Sequence, residues 1–74
     1  MKERVKAIMA DVLMIDASLI ADNTSMENLQ QWDSLAQMDI IAALEEEFGV
    51  TFEIEEFQVM TSFPDIIETL TGRL

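Results

Sequence analysis

The chain contains neither cysteine nor histidine. The first absence removes disulfide staples and thiolate chemistry, and together they remove the usual zinc ligands. Without imidazole there is no side chain suited to acid–base work near neutral pH, so no serine here can be activated as in a catalytic triad. The chain is poorly equipped as an enzyme, and we expect neither catalytic residues nor a metal site. A spaced Asp/Asn loop with its glycine and terminal glutamate is missing too, which argues against a calcium module. Basic residues are few and confined to the ends: Lys2, Arg4 and Lys6 at one, Arg73 at the other. Between Ala7 and Gly72 there is no lysine or arginine, whereas fourteen of the fifteen acidic residues lie there. Such a body repels nucleic-acid phosphates and anionic membranes and attracts partners with basic patches. No segment is long or apolar enough to span a membrane. The basic start followed by Ala7-Ile8-Met9-Ala10 imitates a signal peptide, but Asp11 and Asp16 interrupt it and the same residues are needed for a core helix. The expectation is a cytoplasmic monomer.

What remains is sufficient for a fold. Half of the 74 residues are apolar and the formal net charge is −11, which suits one small domain covering residues 1–74. Repeats, linkers and low-complexity stretches are absent. Val5, Ile8, Met9, Val12 and Ile15 recur at three- and four-residue steps and predict a first helix from Lys2 to Ile15. Asp16 to Asp33 is then a long connection, of a length that tends to be functional or partly structured. Leu19, Ile20, Met26 and Leu29 are expected to pin it to the core. Thr24 and Glu27 have capping-box spacing, so a short helical turn is expected after Thr24. A second helix should run from Ser34 to Phe48 and stop at Gly49. Val50 to Ile54 alternates like a strand but has no second strand to pair with, so it is not read as one. A short third helix follows from Glu55 to Met60. Ser62 caps a fourth, with Pro64 in its first turn, Ile66, Ile67 and Leu70 facing inward, and Gly72 ending it. The fold class is all-α: a small four-helix bundle with three main helices, one short third helix and a long first loop.

The second helix has two useful faces. At 100° per residue, Ile40, Ile41, Leu44 and Phe48 share one side with Gln37 at its edge, and must supply core. The opposite side carries Leu35, Met38, Asp39, Ala42 and Glu46, with Glu45 at its margin. Apolar and acidic residues mixed on a solvent face suit docking of a partner that is both apolar and basic. The plainer reading is that scattered surface apolars are ordinary. Ser34 stands at the head of this stripe, within Trp32-Asp33-Ser34-Leu35. Its spacing to Gln37 fits a Ser-x-x-Gln capping box, and local spacing favours that role. Asp33 could equally cap, leaving the Ser34 hydroxyl free as a point of attachment. A phosphodiester there would meet the backbone N–H groups and dipole at the helix amino end. Local physics permits both. Trp32 is expected to pack the end of the long loop onto the bundle with its indole N–H at the surface.

Trp32-Asp33-Ser34-Leu35, followed by Ile40-Ile41-Ala42-Ala43-Leu44-Glu45-Glu46-Glu47-Phe48-Gly49, closely resembles the acyl carrier proteins. The likeness extends over the whole chain, from the early amphipathic helix to the last helix opened by Thr61-Ser62. It implies a 4′-phosphopantetheine arm on Ser34, transferred from coenzyme A by a phosphopantetheinyl transferase, whose thiol carries acyl groups as thioesters. Asp33, Asp39, Glu45 and Glu46 match the family's acidic recognition residues, and Leu35, Met38 and Ala42 its apolar docking positions. The implied partners are that transferase and acyl-transferring, ligating or condensing enzymes with basic docking patches. Ile40, Ile54, Phe57 and Val59, between the second and third helices, would shelter a bound chain. Ala36 stands where an acidic residue is usual, and Trp32 where a small residue is common. Phe57 and Phe63 make the interior bulkier. These departures resemble carriers of specialised pathways, including polyketide-like, peptide-like and cell-envelope assembly systems. An aminoacyl or peptidyl carrier, including a D-alanyl carrier, uses the same arm, although Glu45-Glu46-Glu47 leans against it. An acidic helical interaction module, with Ser34 only a cap, is the reading from another class. The Met1 start and complete helices lead us to expect a freestanding chain.

Overall fold

In the computed structural model, which describes residues 1–74, the first apolar stripe forms helix α1, Lys2–Leu13. It buries Val5, Met9, Ala10 and Leu13. The helix stops before Ile15 because Met14 turns left-handed, with φ 59° and ψ 43°. The Met14 N–H then donates to the Asp11 carbonyl and the Ile15 N–H to that of Ala10, the Schellman closure of a helix end. Ile15 still packs against the core from beyond that turn.

The long connection has little regular structure. Asp16 caps a single 3₁₀ turn, Ala17–Leu19, by accepting from the Ser18 N–H at 2.9 Å. Ile20 is buried, and Met26 and Leu29 pack against the core, but Leu19 is exposed and does not pin the loop as expected. The box expected at Thr24 and Glu27 is replaced by two other devices. Thr24 is buried and its hydroxyl accepts from the Ala21 N–H at 2.7 Å, holding the loop rather than a helix. The single turn after it is closed by the Leu29 N–H on the Ser25 carbonyl and capped by Ser25 and Asn28. Two backbone bonds, Met26 N–H to Thr61 carbonyl and Phe63 N–H to Thr24 carbonyl, then tie the loop to the head of the last helix. They form an isolated antiparallel bridge between Ser25 and Ser62, and no strand is present.

Helix α2 runs Ser34–Phe48 and ends on Gly49, whose φ of 66° is the left-handed value glycine tolerates. The 50–53 segment is extended and unpaired, as expected from the lack of a partner strand. Helix α3 is short, Ile54–Val59, and α4 spans Phe63–Arg73 with Ser62 as cap and Pro64 in its first turn. Gly72 does not end α4: its φ is not positive, and the helix continues to Arg73. The observed bundle has the expected class and helix order. Its core gathers Val5 and Met9 of α1, Ile40 and Leu44 of α2, Phe63, Ile66 and Leu70 of α4, and Trp32 and Met60 from the joints. Ile67 is only half-buried. No helix is long and apolar enough to cross a membrane.

Three of the four basic side chains bind joints of this frame. Arg4 meets Glu47 at 3.1 Å and lies 4.8 Å from the Phe48 ring centre, setting the start of α1 beside the end of α2. Lys6 meets Asp22 at 3.1 Å and lies 5.3 Å from the Phe63 ring centre, joining α1, the loop and α4. Arg73 ties the end of α4 to Glu56 of α3.

Candidate functional site

The structure separates the two roles that local sequence left open at the head of α2. Asp33, in extended conformation, is the N-cap, and its carboxylate accepts the Ala36 N–H at 2.9 Å. Ser34 is therefore the first helical residue and not the cap. It is exposed, and its hydroxyl makes no hydrogen bond within the protein. Gln37 plays no part in capping either. It is buried, accepts the Trp32 indole N–H at 2.7 Å, and donates to the Met60 carbonyl at 2.7 Å. The indole N–H thus points inward, not to the surface, and Trp32 is only 1% exposed. Trp32 does pack the loop's end onto the bundle, but through a buried polar bond that the sequence pattern did not suggest.

Chemically, this arrangement offers an attachment point without a reaction of its own. The first N–H groups of a helix lack intrahelical acceptors, and here only that of Ala36 is used by the cap side chain. A phosphodiester on the Ser34 oxygen would face those donors and the positive end of the dipole. No base lies near enough to hydrogen-bond the hydroxyl. The exposed oxygen and the open amino end of α2 therefore fit a phosphate-linked group.

From Ser34 the outer face of α2 runs as the 100° periodicity predicts. Leu35 and Met38 are 76% and 59% exposed, and Asp39, Ala42 and Glu46 are exposed as well. Asp33, Asp39 and Glu46 form no ion pair, since the bases that do pair serve Glu47, Asp22 and Glu56. The face consequently keeps its negative charge. Glu45 is different: half-buried, it accepts the Phe52 N–H at 2.8 Å and fixes the extended segment after α2.

Beside this face lies an open groove of about 480 Å³, lined by Met38, Ile41, Glu45, Phe52, Ile54 and Phe57. Of the four residues expected to shelter a chain, Ile54 and Phe57 line it. Ile40 does not, because it is fully buried in the core. Val59 does not, because it is exposed beyond the groove, near the end of α3. Ile41 and Phe52 were missed. Ile41 looked like core only, and Phe52 sits in an irregular segment where alternation was the sole signal. No group of acidic side chains is arranged to hold a metal ion.

Comparison with known proteins agrees with this geometry. A family model described as phosphopantetheine attachment site matches residues 3–70. An acyl carrier protein of Thermosynechococcus vestitus is 35% identical over 72 residues, 97% of this chain and 89% of that protein. The polyketide-8 synthase acyl carrier protein 2 of Streptomyces avermitilis is 36% identical over 74 residues, 99% of this chain and 84% of that protein. The solution structure of holo acyl carrier protein from Geobacter metallireducens superposes with a TM-score of 0.86. It covers 97% of this chain and 83% of its own at 24% identity, a likeness of fold.

Proposed function

The chain belongs to the acyl carrier protein family, which carries covalent 4′-phosphopantetheine, and from that premise we propose that Ser34 bears the arm. Members of this family are carriers and not catalysts, and they work with a phosphopantetheinyl transferase and acyl-handling enzymes. The observation that carries the assignment is the exposed Ser34 hydroxyl, released from capping by Asp33 at the first position of α2. The arm's thiol supplies the thioester chemistry that a chain without cysteine lacks.

Asp33, Leu35, Met38, Asp39, Ala42 and Glu46 present one apolar and acidic surface leading from Ser34, suited to partners with basic docking patches. Glu45 contributes at its edge while holding Phe52. The groove beside α2 is the place for a carried chain, and its apolar wall of Met38, Ile41, Phe52, Ile54 and Phe57 suits an alkyl group better than an aminoacyl one. Trp32 before the attachment motif and Ala36 after it support service in a specialised pathway, in keeping with the polyketide-synthase relative.

The test is incubation of the purified chain with coenzyme A and a broad-specificity phosphopantetheinyl transferase, followed by intact-mass measurement. One added phosphopantetheinyl group on wild type and none on Ser34→Ala is the expected result. Unchanged wild-type mass would sink the assignment, and modification of Ser34→Ala would move it elsewhere. Thermal melts of the same proteins separate chemistry from capping. Ser34→Ala should melt close to wild type, whereas Asp33→Ala should lose about 1 kcal/mol as the true cap.

A further inference from the structure

Gln37 is the one buried side-chain amide, and it faces the attachment turn from inside the protein. Its Oε1 accepts the Trp32 indole N–H at 2.7 Å, and its Nε2 donates to the Met60 carbonyl at 2.7 Å, with the Phe57 carbonyl 3.5 Å away. Trp32 directly precedes Asp33 and Ser34, and Met60 follows the last residue of α3. A leucine at position 37 would fill core without needing any partner, so packing alone does not call for an amide there. Helix α3 buries no residue completely. Phe57 packs against the core, and polar clips add to that hold: Gln37 at the carboxyl end of α3 and the Arg73–Glu56 pair on its side. One side chain therefore fixes the indole behind the attachment turn and the end of the helix that lines the groove.

We propose that Gln37 is a positioning residue for modification of Ser34, acting through Trp32 to hold the turn as the transferase requires and coupling that turn to α3. The proposal rests on the reading of Ser34 as the modified residue. Without the clip, Trp32 and the two residues after it sample further orientations. An enzyme that accepts one of them then meets a smaller competent fraction, and kcat/KM falls by that fraction.

Wild type, Gln37→Met, Trp32→Phe and the double variant are compared as transferase substrates with coenzyme A, at a temperature where circular dichroism shows all four folded. Gln37→Met keeps the side-chain length and removes both hydrogen bonds, while Trp32→Phe keeps a ring and removes the indole donor. Each single variant is expected to lose about three- to tenfold in kcat/KM, the size of a modest loss of competent population. The double variant should be no worse than the poorer single one, because both act through the same bond. Wild-type kcat/KM in folded Gln37→Met, or losses that multiply in the double variant, would overturn the proposal. If Gln37→Met does not fold, the wild type supplies the deciding measurement by NMR. Modification of Ser34 should then shift the Trp32 indole proton together with the amides of residues 57–61, and shifts confined to residues 33–36 would overturn the coupling. A wild type that accepts no phosphopantetheine overturns the Ser34 reading and this proposal with it. A wild type and a Gln37→Met that are modified equally well overturn this proposal alone.

Discussion

Met14 holds a left-handed backbone conformation with a side chain that gains nothing from it: the residue is 89% exposed. For an L-residue that conformation costs about 1–2 kcal/mol, while glycine gives up about 0.5–1 kcal/mol of chain entropy relative to alanine. The first quantity exceeds the second, so Met14→Gly should stabilise the protein by about 0.5–1 kcal/mol and raise Tm by a few degrees. Thermal melts followed by circular dichroism test this, with Met14→Ala, which keeps the strained conformation, as the control. A Tm for Met14→Gly at or below wild type would mean that the strain is not relieved there. The same position shows why one helix end was legible and another was not. Gly49 announces the end of α2, whereas α1 closes at Met14 with the same bond from the following N–H, Ile15 to Ala10 as Val50 to Glu45, without the residue type that would announce it. Ser34 was ambiguous for a related reason. Two adjacent side chains could cap α2, and only the bond from the Ala36 N–H to the Asp33 carboxylate decides between them.

Among the elements, α2 was read well because its period separates two faces over four turns, so small errors of register do not mix them. The groove was read less well. Its far wall comes from Phe52, in an extended segment with no period to follow, and from α3, which is too short to show one. Nor does any spacing rule reach from Trp32 across the cap to Gln37, since that bond joins loop to helix. The clip between Arg73 and Glu56 of α3 gives a pH prediction. Glu56 accepts two hydrogen bonds from Arg73 and one from the Glu53 N–H. Those bonds, chiefly the ones from Arg73, lower its pKa from the ordinary 4.5 to about 2. A carboxylate with a lowered folded-state pKa stabilises the fold above its unfolded value and loses that contribution as pH falls. Arg73→Gln should therefore melt below wild type at neutral pH. The gap should narrow from about pH 4.5 downwards and close only as pH falls through about 2, where wild-type Glu56 is half protonated. Parallel melts over that range test it, and a gap of constant size would show that Arg73 acts by packing alone.

At the scale of the whole molecule, two electrostatic effects oppose each other. Three ion pairs join helices and loop, all of them at least partly exposed, and such pairs contribute little and weaken with salt. Against them stands a formal net charge of −11 on 74 residues, with no base between Ala7 and Gly72. On α2 the carboxylates of Asp33, Asp39 and Glu46 have no paired cation, and folding brings them onto one surface. Raising salt from about 0.1 to 1 M shortens the screening length from about 10 to 3 Å. That relieves many repulsions acting over distance while costing only three contacts. The repulsion should win, so Tm should rise steadily with sodium chloride, and charge removal on the outer face of α2 should mimic part of the rise. A Tm that is flat or falls over the titration would mean that the three clips outweigh the self-repulsion. The same excess charge explains why the bases are spent on the joints. With Arg4, Lys6 and Arg73 engaged elsewhere, the carboxylates on the face that begins at Ser34 keep their negative field.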